Sequence, residues 1–364
     1  MKNKKIIPIF ILFFSIALVS GCIEQIFSNN GVTYEENPTK ISYTITYGYN
    51  IECSGNGDFN LMYDCDIPEL INEQVTNIGV LSEEYENITL ATFNDMKSWN
   101  ISTKSCKNMQ LGLTANVTAE VFYESDISGS SAWTIDQLIT ENNMVSRYCH
   151  KQGNETVVFI NPEDKNILSI AQEIKEDSGT NNSFIIAKEI FKWLKEETTY
   201  TIHSNYNSVQ TCISTFENKT GDCDDLSFLY ISLCRAVKIP ARFIRGFLIE
   251  ENNGIPHAWA EVYVGEKSIG NNGWIPVECA GTSTGPNKLV AEVNQNFGME
   301  SAHHLRLFID DGTNESIKVS LSGIKYVADS SLLIGDLDSF STVTNYQELE
   351  QKSLNIKDDT RTYI

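Results

Sequence analysis

The feature that most restricts the fold is a change of apolar period near Pro162. Before it, Tyr43, Ile45 and Tyr47 alternate with Ser42, Thr44 and Thr46, and similar runs recur at 88–93 and 119–123 between Asn- and Gly-rich turns. Alternation is the period of a half-buried strand. Without helical segments between the runs, it points to a β-sandwich-like domain over residues 41–160. After Pro162, Ile167, Ile170, Ala171 and Ile174 are spaced for one helix face, and Ile185, Ile186, Ile190, Trp193 and Leu194 for a second. A third helix is expected from Asp222 to about Val237, stopped by Ile239-Pro240. Strands follow at 257–264 and 274–279, joined by the Gly/Asn-rich loop 265–273. Beyond Pro286, Leu305, Leu307 and Ile309 alternate, Asp311-Gly312 turns, and Ile317, Val319 and Leu321 alternate again, which predicts a β-hairpin. The last forty residues are polar and read as loosely ordered.

The amino terminus indicates the compartment. Lys2, Lys4 and Lys5 precede an apolar stretch at residues 6–19, shorter than the roughly 20 residues a membrane-spanning helix needs. It ends in Val19-Ser20-Gly21-Cys22, which resembles the lipobox of prokaryotic lipoproteins. That resemblance implies a signal peptide over 1–21, lipidation at Cys22 and anchoring at the outer face of the cytoplasmic membrane. Residues 22–40, polar and without period, read as a tether. The chain has 27 basic and 48 acidic side chains and a formal charge of −21, which argues against nucleic acid as a partner. Seven Asn-x-Ser/Thr triplets, at Asn87, Asn100, Asn116, Asn154, Asn181, Asn218 and Asn314, would suit a glycosylated surface protein.

Nine cysteines fit an oxidising compartment. Setting aside Cys22, Cys223 and Cys234 leaves six, whose 15 connectivities the sequence does not distinguish. Cys53 and Cys65 flank the turn-like Ser54-Gly55-Asn56-Gly57-Asp58, so a bridge across a hairpin there is expected. There is no Cys-x-x-Cys pair, and the five histidines show no ligand spacing beyond the adjacent His303-His304, which reads as a solvated loop feature. No cofactor or metal is expected.

The chemistry is concentrated around Cys223. In Gly221-Asp222-Cys223-Asp224-Asp225, the glycine allows a tight turn and the aspartates favour a helix start. Leu226, Tyr230, Leu233 and Val237 follow as an apolar stripe. Cys223 thus sits at a helix N-terminus, where free N–H groups favour a thiolate, while the adjacent acids oppose one; a cationic partner is needed. Cys234, 11 residues on, is roughly 16 Å away along the helix and reads as a core thiol. His257 opens a strand that also carries Trp259, and Glu278 ends the next. If the two strands pair antiparallel about residue 268, Glu278 lies within a residue or two of facing His257. A carboxylate that orients an imidazole, which in turn holds a thiolate, is a nucleophile–base–orienter arrangement.

From about Pro162 to Gly281 the chain resembles the transglutaminase-like superfamily, cysteine enzymes with a papain-like core. The resemblance lies in Lys192-Trp193-Leu194, Thr220-Gly221-Asp222-Cys223-Asp224-Asp225, the helix exit Arg235-Ala236-Val237-Lys238-Ile239-Pro240, Pro256-His257-Ala258-Trp259-Ala260-Glu261 and Gly273-Trp274-Ile275-Pro276-Val277-Glu278. It implies an α+β fold, with a core of helices plus antiparallel sheet over 161–285, a β-sandwich-like domain before it and a carboxyl-terminal region over 286–364. It further implies Cys223 as nucleophile, His257 as general base and acid, and Glu278 as orienting acid. Glu278 stands where the family usually has Asp. Asn205 or Tyr206 is the expected side-chain donor to an oxyanion, beside the Cys223 backbone N–H. The expected activity is attack on amide bonds through a thioester, by a peptidase or amidohydrolase or by a cross-linking acyltransferase, acting on protein or cell-envelope peptide. The alternative is a non-catalytic surface binding or assembly module that retains the core.

Overall fold

The computed structural model describes residues 31–71, 74–81, 89–91, 96–141, 143–154, 156–202, 209–281, 286–320 and 324–364. The expected signal peptide and Cys22 lie outside them, and no helix among the described residues is long and apolar enough to cross a membrane.

Strand β1 (Val32–Asp66) runs for 35 residues and serves two sheets. Its second part, from Gly55 to Asp66, pairs antiparallel with β2 (Met96–Cys106). Its first part pairs with β3 (Met109–Glu120) on one edge, and on the other with a strand near the carboxyl terminus, Leu333–Lys357. Tyr43, Ile45, Tyr47, Leu111 and Leu113 from the first part share one core with Phe59, Leu61, Trp99 and Ile101 from the second. Gly48 and Gly112 face each other in register across the two strands. A Cβ on Gly48 would fall 1.9 Å from the Leu111 carbonyl oxygen, so a side chain there would force the strands apart.

Helices α1 (Lys165–Asp177) and α2 (Ser183–Glu197) form where the 3.6-residue period predicts them, each started by a side-chain cap, Asp164 and Asn182 respectively. Helix α3 (Cys223–Ala236) is buried on all sides from Asp225 onward, as befits the centre of a core. It packs against an antiparallel sheet of β4 (Ala241–Ile249), β5 (Gly254–Tyr263), β6 (Trp274–Val277) and β7 (His304–Ile309), in the order β6-β5-β4-β7. Helix α4 (Pro286–Asn296) precedes β7. On the other face of this sheet, Phe247, Ile249, Leu305 and Leu307 join the core of the amino-terminal sheets, and Tyr47 meets Phe247 edge to face at 5.6 Å. This four-stranded sheet is therefore sandwiched between helices and the β-rich region.

Several expectations are corrected. The segment from Ser54 to Asp58 does not turn the chain back. It is absorbed as a register shift in β1 between Asn56 and Phe59, with Gly55 at φ +120°. Cys53 and Cys65 thus lie on one extended strand, on the order of 40 Å apart were it straight. The disulfide joins Cys53 to Cys106, with Cα atoms 5.6 Å apart, and Cys65 is a buried free thiol. The tether reading fails from Val32 onward: Val32 pairs with Ile356, and Tyr34 is buried beside Leu354. The loosely ordered tail is the 25-residue strand Leu333–Lys357 followed by Thr360–Tyr363. Both segments are held chiefly by main-chain pairing and bury only scattered apolar side chains, Tyr34, Val343 and Leu354 among them, too few to set a clear period. Of the expected hairpin, β7 forms, but its second half is helix α5 (Asn314–Ser320), whose first turn is capped when Ser316 N–H donates to Thr313 Oγ1 at 3.1 Å.

A non-reducing digest should yield a Cys53–Cys106 linked peptide and no Cys53–Cys65 peptide. Replacing both Cys53 and Cys106 by Ala should cost about 4 kcal/mol in the chain-entropy picture of a loop this long, read from denaturant unfolding of the β-rich region.

Candidate active site

Helix α3 starts at Cys223 because Asp222 caps it. The Asp222 carboxylate accepts from Asp225 N–H, and Asp225 accepts in return from Asp222 N–H at 3.2 Å, a reciprocal capping box. Asp225 is fully buried and also accepts from Gln210, from its backbone N–H at 2.7 Å and its side-chain amide at 3.0 Å. Gly221 lies over this carboxylate, where a Cβ would come within 2.6 Å of Asp225 Cβ. Two of the motif's three aspartates are thus structural: they hold the turn that presents Cys223.

His257 sits on β5, stacked on Trp259 two residues along the same face, with ring centroids 5.9 Å apart. Strand β6 pairs with β5 so that Ala260 faces Val277 and Tyr263 faces Trp274. Continuing that register puts Glu278 opposite Trp259, two residues short of facing His257, and its long side chain spans the difference. His257 Nε2 donates to Glu278 Oε2 at 2.7 Å. That leaves Nδ1 to face Cys223, whose thiol the ring acts on from close by. The structure therefore brings Cys223, His257 and Glu278 together in one site, with His257 bonded to Glu278.

Glu278 has further partners. Its Oε1 accepts from Ala280 N–H at 2.7 Å, and its Oε2 accepts a second ring proton, from His304 Nε2 at 2.9 Å. Buried Lys195 braces the same turn through the carbonyls of Cys279, at 3.1 Å, and Ala280. His304 opens β7 and is buried, so the solvated-loop reading of the doublet is wrong for it. The alternation of β7 was visible in the sequence; its contact with Glu278 was not. Asn205 and Tyr206 lie outside the described residues. Tyr200, which sequence reasoning passed over, is on a two-residue strand paired beside Thr220-Gly221; burial raises its phenol, and the nearby charges of Cys223, Asp222 and Glu278 add to that. Cys234 is a buried core thiol, as its distance along the helix predicts.

The charges follow from this geometry. Burial alone would raise the Glu278 carboxyl, but the His257 and His304 rings hold it well below the usual carboxylate range. Burial opposes a charge on His257, yet Glu278 and the thiol outweigh it and raise the imidazole well above its ordinary value. Burial pushes the Cys223 thiol up, the hydrogen bond from His257 pulls it down, and Asp224 and Asp222 oppose its ionisation. Cys223 and His257 are best read as one titrating unit in which Glu278 biases the shared proton toward the ring. Asp224 is itself pushed up to about 6 by burial and by its two acidic neighbours. The ring nitrogens and carboxylate of His257, His304 and Glu278 lie within 4.8 Å of one another, a spacing that could also serve a divalent ion. Both rings already give a proton to one oxygen, so hydrogen bonding accounts for the cluster.

Residues 169–279 match the family model of the transglutaminase-like superfamily. The core of this chain is transglutaminase-like. Its matched stretch begins within α1 and ends just after Glu278. The chain is also 29% identical, over 99 residues, to the uncharacterized protein YebA of Bacillus subtilis (strain 168), covering 23% of this chain and 13% of that protein. It thus spans about an eighth of that relative. Among solved structures, a protein of Cytophaga hutchinsonii described as a candidate cysteine protease shares 13% identity at a TM-score of 0.48, covering 91% of this chain and 99% of that one. The periplasmic domain of TgpA from Pseudomonas aeruginosa shares 13% identity at a TM-score of 0.32, over 65% of this chain and 88% of that one. Within the transglutaminase-like core, Asp224 opposes the ionisation of Cys223. Asp224→Asn should move the pH curve of Cys223 alkylation to lower pH, since a negative charge that disfavours the thiolate is gone; mass spectrometry of iodoacetamide adducts reads it.

Proposed function

We propose that this protein is a cysteine-dependent acyl-transfer enzyme that cleaves amide bonds in protein or cell-envelope peptide, Cys223 being the nucleophile. The observation that carries this reading is the His257–Glu278 hydrogen bond at 2.7 Å, with the same imidazole acting on the Cys223 thiol to pull it down. Cys223 Sγ would attack the carbonyl carbon as its proton passes to His257, and the carbonyl electron pair would move onto oxygen. The Cys223 backbone N–H, which the capping box does not use, is a donor for that oxyanion; Asn205 or Tyr206 is the side-chain candidate. Collapse would expel the amine with the proton from His257 and leave a thioester. Water, deprotonated by His257, would complete hydrolysis; a primary amine in its place would give a cross-link. Hydrolysis is the reading we favour.

A site outside the cytosol, with the chain anchored through lipid on Cys22, is part of the same proposal. The apolar leader, the lipobox-like residues and the Cys53–Cys106 bridge support it. The non-catalytic alternative drew on the flanking β regions and on the glutamate in place of aspartate, the latter as a doubt about the triad. Since Glu278 reaches His257 at 2.7 Å, that doubt is gone.

Cys223→Ala should abolish turnover of peptide amides, a loss of about 10⁴-fold or more. His257→Ala should move the alkylation curve of Cys223 to higher pH. His257 supplies both the hydrogen bond and the charge that lower the thiol, and their removal leaves burial and the neighbouring acids unopposed. Retained turnover in Cys223→Ala would sink the mechanism.

A further inference from the structure

We propose that His304 is a positioning residue of this site: its Nε2–H, given to the same Glu278 oxygen that takes the His257 proton, holds the carboxylate so that a glutamate can do the work of the shorter aspartate. The proposal rests on the reading of Cys223 as the nucleophile.

The direction of each hydrogen bond follows from the atoms. An ionised carboxylate only accepts, so both ring nitrogens facing Oε2, at 2.7 and 2.9 Å, must carry protons. The other ring nitrogen of His304, Nδ1, lies 2.8 Å from Ser301 Oγ, which can donate to it. Both ring nitrogens of His304 thus have partners. Its ring is held as well as bonded. It lies edge-on to Trp259 at 4.8 Å and 75°, and its residue pairs with Leu248 of β4.

The chain brings the two rings together across a strand. Strand β4 lies between β5 and β7, and its residue in register with both His257 and Arg306 is Gly246. Opposite His257 the intervening strand thus carries no side chain, while His304 faces Leu248, and the two ring centroids are 5.5 Å apart. A Cβ on Gly246 would also fall 1.8 Å from the Leu305 carbonyl oxygen, so the position excludes larger residues. Glutamate has one more rotatable bond than aspartate, and an unsupported carboxylate on it would sample several orientations. Here Ala280 N–H fixes one oxygen and two rings converge on the other. Aspartate, shorter by one methylene, could not meet all three donors from the same backbone position.

The test is the rate at which iodoacetamide alkylates Cys223 in the purified full-length chain at pH 7, read by mass spectrometry. It needs no substrate, and each variant's melting curve is recorded alongside. His304→Leu should slow alkylation about tenfold, as a misoriented partner of the base does. His304→Gln, whose amide nitrogen can replace Nε2 as donor, should stay within about threefold of wild type. Glu278→Asp should slow the reaction rather than speed it, and decides the matter should His304→Leu fail to fold. Wild-type rates in His304→Leu or Glu278→Asp, with His257→Ala still slow, would overturn the role of His304 and leave the nucleophile standing. Equal loss in Leu and Gln variants with native melting would also overturn it, since shape and not donation would then matter. If the wild-type rate equals that of His257→Ala, the nucleophile reading itself fails and this proposal falls with it.

Discussion

Glu278 carries a negative charge into a site largely closed to water, and an unpaired charge there would cost several kcal/mol. Three donors meet it: two imidazoles and one backbone N–H. They come from three places in the chain, β5, β7 and the turn after β6, so the charge is stable only when those elements are assembled. Lys195 on α2 braces the turn from below through two carbonyls. The same contacts that stabilise the carboxylate orient His257, and through it the thiol of Cys223.

Behind the site lies a second charged layer. Arg306 pairs with Glu261 at 2.7 Å and with Glu300, Arg242 pairs with Glu261, and Trp259 Nε1 donates to Glu300 at 2.8 Å. Two cations and two anions, all but Arg242 buried, balance one another and fix the indole on which His257 stacks. On the opposite face of β7, Leu305 and Leu307 belong to the core of the amino-terminal sheets. The strand that delivers His304 to Glu278 is thus held on its other side by the β-rich region. That region is part of the support of the site rather than an appendage.

Cys223, His257 and Glu278 were legible in the sequence because each sits at a local signal: a capped helix start, the opening of an alternating strand, and the end of the next strand across one loop. The antiparallel register follows from loop length, so the meeting of His257 and Glu278 could be anticipated to within two residues. His304 could not. It reaches the site from the far side of β4, and no spacing in the chain records that contact. The capping roles of Asp222 and Asp225 were suggested by residue type, but which of the three aspartates faces inward depended on the turn that Gln210 and Gly221 complete.

The sequence by itself determined α1, α2 and α3, the antiparallel pairing of β5 with β6 and the placement of a thiol at a helix start, because caps, periods and short loops act within a few residues. Only the tertiary structure decided that the polar tail pairs with the start of β1, that Cys53 bonds Cys106 rather than Cys65, and that His304 shares the carboxylate of Glu278. Each of these joins residues far apart in the chain through main-chain hydrogen bonds, a covalent bond or a shared proton acceptor. Such contacts leave no period in the sequence, since their partners are chosen by the packing of whole sheets and not by neighbouring residues.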